Sequence, residues 1–181
     1  MTSLTGVLVL GGQRSGKSRH AERLVVESGL ARIYLATATP GDGEMATRIA
    51  AHRDRRDGEW TTVEEPLDLA GALEQFARPD AVVLVDCLTL WLNNLYAADR
   101  NIATESDRLV ATLSRLAGPV VLVTNEVGSG IIPANALART YADALGTLNQ
   151  RVAEAVARVV LVVAGLPLVL KPIQKENQVT P

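Results

Sequence analysis

The sequence has little of three things that define particular classes of protein. It contains one cysteine, Cys87, in 181 residues, which excludes an intrachain disulfide and a multi-cysteine metal site. Aromatic residues make up only 3%, so we expect a core built from aliphatic side chains. The longest uninterrupted apolar run, Val159 to Ala164, is far too short to cross a bilayer, and we therefore expect no membrane insertion.

The sequence also lacks an excess of charge of one sign. Its 18 lysines and arginines are balanced by 20 aspartates and glutamates, which gives a formal net charge of −2. No overall basic field is available to gather nucleic acid or to bind an anionic membrane surface, so we expect neither partner. The first residues lack the basic segment and apolar stretch of a signal peptide, and we expect a cytoplasmic location.

Strand-like and helix-like segments alternate along the chain. Short runs rich in valine and leucine predict strands at 7–10, 33–36, 81–85, 120–123 and 159–163. The segments between them predict helices at 17–28, 44–57, 66–77, 103–117 and 135–157. Because the strands are apolar throughout, we expect them to be covered on both faces, as in a mostly parallel sheet. The pattern therefore predicts an α/β fold with a mostly parallel central sheet flanked by helices.

This fold is predicted to occupy a single domain over residues 1–171. Residues 95–104 are the expected exposed connection within it. Residues 172–181 form a polar tail with two prolines, to which we assign no function.

A glycine-rich segment lies between the first predicted strand and the first predicted helix. It matches every position of the phosphate-loop motif G-x-x-x-x-G-K-[ST]. The matching residues are Gly11, Gly12, Gln13, Arg14, Ser15, Gly16, Lys17 and Ser18. Because a strand leads directly into the motif and a helix follows it, we predict that this segment binds a nucleotide.

The residue types of this loop suit phosphate binding. Gly11 and Gly16 let the backbone turn and point several N–H groups at phosphate oxygens. The helix that follows presents its positive end to the same anion. Lys17 is predicted to reach the β- and γ-phosphates, and the Ser18 hydroxyl can ligate Mg²⁺. The motif by itself leaves open what is done to the nucleotide.

Polar residues follow two of the predicted strands. Asp86 ends the third strand and is predicted to hold Mg²⁺ beside the phosphate loop, the alternative being a cap of the next turn. Asn125, Glu126 and Gly128 follow the fourth strand. Ligands bind beside such strand ends in open α/β sheets, so Glu126 could position a substrate hydroxyl or the metal. The alternative is a loop stabilised by turn chemistry.

One predicted helix combines a histidine with several arginines. Arg48, His52 and Arg56 recur at four-residue spacing, which places the imidazole between two guanidinium groups. Neighbouring cations disfavour protonation, so His52 would be a neutral nucleophile while the arginines bind phosphate. The alternative is a solvated basic helix. His20, the other histidine, is predicted to lie on the surface of the first helix.

Together these segments resemble one family over about residues 6–171, the bifunctional adenosylcobinamide kinase / adenosylcobinamide-phosphate guanylyltransferases of cobalamin biosynthesis. The phosphate loop is generic, whereas the other matching segments are much more specific. The matching segments are 11–22, 34–38, Glu44-Met45, Arg48-Ile49, His52-Arg53, Trp60, Thr62, Glu64, 86–89, 93–95, 123–128, 130–133 and 148–151.

The resemblance implies two reactions on one chain. A nucleoside triphosphate, ATP or GTP, phosphorylates the aminopropanol hydroxyl of adenosylcobinamide. GTP then transfers GMP to that phosphate through a GMP bound covalently to a histidine, which His52 matches. We expect His52 and Lys17 to be catalytic, with Ser18 and Asp86 holding the metal. The implied nucleotide contacts outside the phosphate loop are Ala36, Thr37, Ala38, Arg53, Asp54, Arg55, Arg56, Glu64 and Asp86.

The resemblance further implies a P-loop, recombinase-like fold and a homo-oligomer, often a trimer. Two other functions are compatible with the phosphate loop itself. One is a small-molecule kinase without guanylyltransferase activity, and the other is a nucleotide-gated binding module without turnover.

Overall fold

The computed structural model describes residues 6–39 and 58–171 of the chain. The predicted helix 44–57, which carries His52 and the arginines, and the tail 172–181 lie outside the described residues. No helix within the two described ranges is long and apolar enough to cross a membrane.

Seven strands form one sheet in the order β3-β2-β4-β5-β1-β6-β7. The strands are β1 (Val7–Gly11), β2 (Ala31–Ala36), β3 (Trp60–Glu64), β4 (Ala81–Asp86), β5 (Val120–Asn125), β6 (Arg158–Val163) and β7 (Leu166–Lys171). The pairings among the first six strands are parallel, and β7 runs antiparallel to β6. All five predicted strands and the mostly parallel sheet are confirmed.

The two strands that the sequence did not predict lie at the edges of the sheet. In β3, an edge strand, the apolar Trp60 and Val63 are mixed with threonines and a glutamate, so no apolar run signals it. In β7, Pro167 interrupts the apolar run, and proline is tolerated in sheets chiefly at edges. Both edge strands are also less buried than β1 or β4, since three of the five residues of β3 and five of the six residues of β7 are exposed.

The inner strands of the sheet are buried on both faces, as their apolar sequences predicted. On one face Leu8, Val83 and Leu122 belong to a core cluster that also contains apolar residues of four helices. On the other face Val9 and Leu84 pack in a second cluster with side chains of the helix that follows the phosphate loop. We call these the four-helix face and the phosphate-loop face. Consecutive residues of each strand alternate between them.

The helices are α1 (Lys17–Glu27), α2 (Leu69–Phe76), α3 (Leu88–Ala97), α4 (Ile102–Leu113) and α5 (Ala136–Ala155). Four of them confirm predicted helices, although α2 begins later than expected because Asp68 caps it by accepting a hydrogen bond from the Gly71 N–H. Helix α3 was not predicted, and the exposed connection expected at 95–104 is confirmed only in its middle part. Leu95 is fully buried within α3, so the exposed connection is confined to 98–101.

The carboxyl ends of five parallel strands meet at one edge of the sheet. Ala36 of β2 is paired with both Glu64 of β3 and Asp86 of β4. On the other side of β5, Gly11 of β1 is paired with Asn125. By strand alternation, these residues belong to the series of positions that faces the phosphate-loop side. The fold therefore places four predicted site residues, Gly11, Ala36, Glu64 and Asp86, in one row across the carboxyl ends of the strands.

Candidate functional site: a phosphate-binding loop beside an acidic strand end

The phosphate loop makes a tight turn between β1 and α1 that depends on two glycines. A Cβ on Gly11 would lie 2.5 Å from both the Ser15 Oγ and the Val162 carbonyl oxygen, so no larger residue fits there. Gly16 has a φ of 98°, a left-handed conformation that L-residues with side chains rarely adopt. Both glycines are therefore required by the shape of the turn, as their positions in the motif predicted.

The hairpin formed by β6 and β7 packs against the phosphate loop. Its two-residue turn between β6 and β7, Ala164 and Gly165, has φ values of 50° and 80°, the signs that a tight hairpin turn needs. The Gly165 N–H donates a 2.8 Å hydrogen bond to the Ser15 carbonyl. A Cβ on Gly16 would approach the Gly165 Cα to 3.1 Å. The hairpin thus packs directly against the phosphate loop and fixes its backbone.

The loop presents cationic and N–H groups suited to an anion. Helix α1 begins at Lys17, and its first helical backbone bond runs from the His20 N–H to the Gly16 carbonyl. The N–H groups before His20 belong to the first turn, which has no intrahelical acceptors for them. The Lys17 ammonium folds back over the loop and donates a 3.1 Å hydrogen bond to the Gly12 carbonyl. The arrangement favours a polyphosphate at the start of α1.

Asp86 ends β4 two strands away from the phosphate loop. Its Oδ2 accepts a 3.0 Å hydrogen bond from the Tyr34 hydroxyl, and the Tyr34 ring packs edge-on against Trp60 with centroids 6.2 Å apart. This chain of contacts holds the carboxylate at the strand end. Its oxygen atoms and the Ser18 hydroxyl are hard donors of the type that Mg²⁺ binds. Among the described residues no group of three or more His, Cys, Asp or Glu side chains could hold a metal ion.

Thr37, one of the residues expected to contact nucleotide, is fully buried. Its hydroxyl accepts a hydrogen bond from the Cys87 N–H and donates one to the Cys87 carbonyl, both at 2.8 Å. The Asn94 side chain donates to the Thr37 carbonyl at 2.7 Å. These contacts tie β2 to the start of α3. Thr37 therefore has a structural role beside the site, and its contact with nucleotide stays a prediction.

A polar network surrounds the end of β5, which lies between the phosphate-loop strand and the Asp86 strand. The Asn125 N–H donates to the Thr89 Oγ at 2.8 Å, and the Asn125 carbonyl accepts a 3.1 Å hydrogen bond from the Asn149 side chain. The Thr124 hydroxyl donates to the Asn149 Oδ1 at 2.8 Å, and the Tyr141 hydroxyl donates to the Thr89 carbonyl at 2.7 Å. Helices α3 and α5 thus fix the backbone of this strand end.

The following residue, Glu126, continues this strand end toward the loop. Its N–H donates a 3.1 Å hydrogen bond to the Gly11 carbonyl. Its Oε1 accepts a 2.8 Å hydrogen bond from the Gly128 N–H, which is the local turn that the sequence suggested as an alternative. The Glu126 backbone is bonded directly to the phosphate loop, so this residue lies close to the loop.

His20 does not lie on the surface of α1, and that expectation is wrong. Its exposed fraction is only 7%. Its Nδ1 accepts a 2.9 Å hydrogen bond from the Arg23 guanidinium, and its Nε2 is buried with no hydrogen-bond partner in the part of the chain that the structure describes. Burial lowers the pKa of His20 from its ordinary value of 6.5, and the charges of Arg23 and Arg158 lower it further. The ring is therefore a neutral, packed part of the helix interface.

The structure brings the phosphate loop, Ala36, Glu64 and Asp86 together at one edge of the sheet, and Ala38 follows Thr37 in the described chain. Contact of these residues with nucleotide stays a prediction. His52, Arg53, Asp54, Arg55 and Arg56 lie outside the described residues. Sequence reasoning did not single out Tyr34, Thr89 or Asn149 as supports of the site. All three fall within segments of the family resemblance, but their roles depend on contacts between residues far apart in the chain.

This arrangement of loop, strands and helices is a P-loop nucleotide-binding fold of the recombinase type. The RadB recombinase has a similar fold, with a TM-score of 0.50 and 18% identity over 86% of this chain and 73% of that one. A solved structure from Pyrococcus horikoshii OT3 has a TM-score of 0.56 and 14% identity, covering 96% of this chain and 90% of that one. At these identities the likeness concerns the fold alone.

Sequence comparison identifies the particular family. The family described as cobinamide kinase / cobinamide phosphate guanyltransferase matches residues 7–170, and the chain belongs to it. The chain is 52% identical to the bifunctional adenosylcobalamin biosynthesis protein CobP of Pseudomonas aeruginosa, over 91% of this chain and 96% of that one. It is 41% identical to the bifunctional adenosylcobalamin biosynthesis protein CobU of Escherichia coli, covering 91% of this chain and 99% of that one.

Proposed function

We propose that this protein phosphorylates the aminopropanol hydroxyl of adenosylcobinamide with ATP or GTP and then transfers GMP from GTP to the new phosphate. The observation that carries the proposal is a complete phosphate loop beside the Asp86 strand end in a chain that belongs to this family. We take residues 1–171 to be the catalytic unit, since the last strand of the sheet, β7, ends at Lys171.

In the kinase step, the phosphate loop binds the triphosphate of the donor. Backbone N–H groups before His20 contact the phosphate oxygens, and Lys17 exchanges its bond to the Gly12 carbonyl for contacts to the β- and γ-phosphates. The substrate hydroxyl oxygen bonds to the γ-phosphorus as the bond to the β–γ bridging oxygen breaks. A nucleoside diphosphate leaves, and the hydroxyl proton is released to water.

We further propose that the site binds Mg²⁺ through the Ser18 hydroxyl and, by way of water, through Asp86. The fit rests on the donor chemistry, because a hydroxyl and a carboxylate oxygen at one strand edge are hard ligands. Such an ion would neutralise charge on the β- and γ-phosphate oxygens. Tyr34 keeps Asp86 Oδ2 engaged at 3.0 Å, which orients the carboxylate.

In the transferase step, we assign the nucleophile to His52. Its imidazole nitrogen bonds to the α-phosphorus of GTP, the bond to the β-phosphate breaks, and pyrophosphate leaves. A phosphate oxygen of the corrinoid then displaces the imidazole and takes the GMP, with Arg53 and Arg56 beside the phosphate groups. His20 is poorly suited to this role, because its ring is 7% exposed and its Nδ1 already accepts a hydrogen bond from Arg23.

The transferase half is tested with α-³²P-GTP and Mg²⁺ in the absence of corrinoid. Wild type, His52→Ala and His20→Asn are incubated, denatured and examined for label that survives base and is lost in acid, as a phosphoramidate should be. We expect label on wild type and His20→Asn but none on His52→Ala. His20→Asn is the matched control, since these are the two histidines of the chain.

Each alternative function gives a different result. Label on His52→Ala but not on His20→Asn would transfer the nucleophile to His20. No label on any variant, together with phosphorylation of adenosylcobinamide, would leave a kinase without guanylyltransferase activity. Nucleotide binding without either reaction would leave a nucleotide-gated binding module.

We also propose that the protein is a homo-oligomer, with a trimer as the expected state. Exposed apolar side chains in the segment before α5 and in its first turn support an interface, since Ile131, Ile132 and Leu137 are 97%, 79% and 69% exposed. Light scattering coupled to size-exclusion chromatography would measure the mass of wild type and of Ile131→Asp. A monomeric mass for wild type would contradict the proposal.

A further inference from the structure

We propose that the Asn125 side chain binds and orients the acceptor hydroxyl during phosphoryl transfer, and that Thr89 is a positioning residue that holds Asn125 in place. The proposal rests on the kinase activity proposed above and adds the group that aligns the attacking oxygen.

The location of Asn125 is the first argument. It is the last residue of β5, and β5 lies between β1, which leads into the phosphate loop, and β4, which ends at Asp86. Asn125 is paired with Gly11, the first residue of the phosphate loop. Val121 and Val123 pack on the phosphate-loop face, so strand alternation directs Asn125 to the same face. A side chain there lies between the two halves of the site.

An unsatisfied acceptor is the second argument. The Asn125 Oδ1 is buried and has no hydrogen-bond partner among the described residues. A buried acceptor without a donor is unfavourable and uncommon in native proteins, so such a group calls for an explanation. An amide oxygen needs an O–H or N–H donor. The donor that the reaction brings to this place is the hydroxyl of the substrate.

The rigid support of Asn125 is the third argument. Its N–H is bonded to the Thr89 Oγ at 2.8 Å, and its carbonyl is bonded to the Asn149 side chain at 3.1 Å. Thr89 is in turn fixed by the Tyr141 hydroxyl, which donates to its carbonyl. Side chains from two helices therefore fix the backbone of a residue whose own side-chain oxygen meets no donor within residues 6–39 and 58–171. That arrangement is expected of a group that must be held ready for a ligand.

The chemistry needs orientation more than a base. Phosphoryl transfer proceeds largely through positioning and charge stabilisation, with little demand for early proton removal. If the substrate O–H donates to Asn125 Oδ1, a lone pair of the same oxygen is free to point at the γ-phosphorus. An amide does not take the proton, which leaves for water after the new O–P bond has formed.

The test compares wild type with Asn125→Ala, Thr89→Val, Thr89→Ser and the control Asn93→Ala. Asn93 lies on the exposed side of α3. For each protein, kcat and KM are measured for phosphorylation of adenosylcobinamide, and nucleotide Kd is measured by calorimetry. We expect Asn125→Ala to lower kcat by about 100-fold, the scale of a misplaced reacting group, with nucleotide Kd unchanged. Labelling by α-³²P-GTP should also be unchanged.

The two Thr89 variants, Thr89→Val and Thr89→Ser, distinguish a positioning role of Thr89 from a merely structural one. Thr89→Val removes the acceptor of the Asn125 N–H with little change of shape and should lower kcat by roughly 10-fold or more without changing nucleotide Kd. Thr89→Ser restores the hydroxyl and should restore kcat. A kcat of Asn125→Ala equal to that of wild type, or loss of nucleotide binding in that variant, would overturn the inference. Absence of corrinoid phosphorylation in wild type would instead overturn the proposed function.

Discussion

The Tyr34 hydroxyl donates a 3.0 Å hydrogen bond to Asp86 Oδ2 across neighbouring strands, and this contact fixes the acidic end of β4. Both residues lie on the phosphate-loop face, and the Tyr34 ring is held in turn by its edge-on contact with Trp60. The bond restrains the rotation of the Asp86 carboxylate at the strand end. The orientation of Asp86 therefore depends on a residue in the next strand.

Removing the Tyr34 hydroxyl should increase the Mg²⁺ concentration that the kinase reaction requires. We expect Tyr34→Phe to raise the Mg²⁺ concentration for half-maximal kinase activity by roughly 10-fold, since hydrogen bonds to charged groups are worth about 1.5–3 kcal/mol. The variant keeps the ring and its packing against Trp60, so the fold should be intact. The measurement is a Mg²⁺ titration of the initial rate at saturating nucleotide.

Tyr96→Phe is the matched control for this experiment. The Tyr96 ring packs against Tyr141 at a centroid distance of 6.0 Å on the four-helix side of the sheet. The Mg²⁺ titration of Tyr96→Phe should coincide with that of wild type. An unchanged Mg²⁺ requirement in Tyr34→Phe would mean that the Asp86 carboxylate is oriented without the phenol.

The phosphate loop should not tolerate a methyl group at Gly11. A Cβ there would lie 2.5 Å from the Val162 carbonyl oxygen, and a backbone atom of a central strand cannot easily move away. We expect Gly11→Ala to weaken nucleotide binding by at least 10-fold and to lower the free energy of unfolding by about 1–3 kcal/mol, as overpacking does. Calorimetry and urea unfolding measure the two quantities.

Gly146 in α5 is the matched control for Gly11, because an added methyl group should stabilise the protein there. A Cβ on Gly146 would meet no atom within 4 Å, and helix interiors favour alanine over glycine by about 1 kcal/mol. Gly146→Ala should therefore increase the free energy of unfolding by about 1 kcal/mol and leave nucleotide affinity unchanged. If both variants bind nucleotide as wild type does, the tight fit around Gly11 is not needed for the loop.

His20 should make stability depend on pH. Its pKa is lowered in the folded protein, chiefly by burial and then by Arg23 and Arg158, so the unfolded chain binds a proton more readily. As pH falls below the ordinary value of 6.5, the unfolded state gains that proton first and the folded protein loses stability. The loss ends once pH falls below the lowered pKa. Urea unfolding of wild type and His20→Asn from pH 8 to pH 5 measures the difference.

His20→Asn keeps an acceptor for Arg23 but does not titrate in this range. The free energy of unfolding of the variant should therefore fall less than that of wild type over the acidic part of the series. Parallel curves for the two proteins would show that the His20 ring takes up its proton in the folded state without cost.

The sequence was sufficient to predict those parts of the fold in which local pattern and burial agree. Strands β1, β4 and β5 are apolar throughout because both of their faces are covered, and the glycines of the phosphate loop reflect the backbone shape at Gly11 and Gly16. Helix α3 was missed because it is buried nearly all round, and its apolar residues give no clear one-sided stripe.

The supports of the site could not be predicted from local pattern, since they join residues distant in sequence. Thr89 and Asn125 are 36 residues apart, and Tyr34 and Asp86 are 52 apart. The same limitation explains the error at His20, where the periodicity of α1 did not reveal that this residue is buried. Family resemblance marked the segments that contain these residues, and only the tertiary contacts assign each a role.

The single cysteine offers a direct test of how tightly the strand end beside Asp86 is packed. Cys87 is buried, and burial together with the charge of Asp86 raises the pKa of its thiol from 9.0 to about 11. Because only the thiolate reacts, a pKa higher by about two units lowers the reactive fraction near pH 8 by about 100-fold, and burial limits access further. We expect Ellman's reagent to label unfolded protein quickly and native protein at least about 100-fold more slowly.

The raised pKa of Cys87 also predicts how the free energy of unfolding changes at alkaline pH. The folded thiol stays protonated between pH 9.0 and about 11, whereas the unfolded thiol ionises, so the free energy of unfolding should fall as pH rises through this window. Cys87→Ala, which cannot titrate, should lose less stability over that range. Rapid labelling of native wild type at pH 8 would contradict both expectations, because it would mean that the segment joining β4 to α3 opens readily and that Asp86 is not held as firmly as its contact with Tyr34 implies.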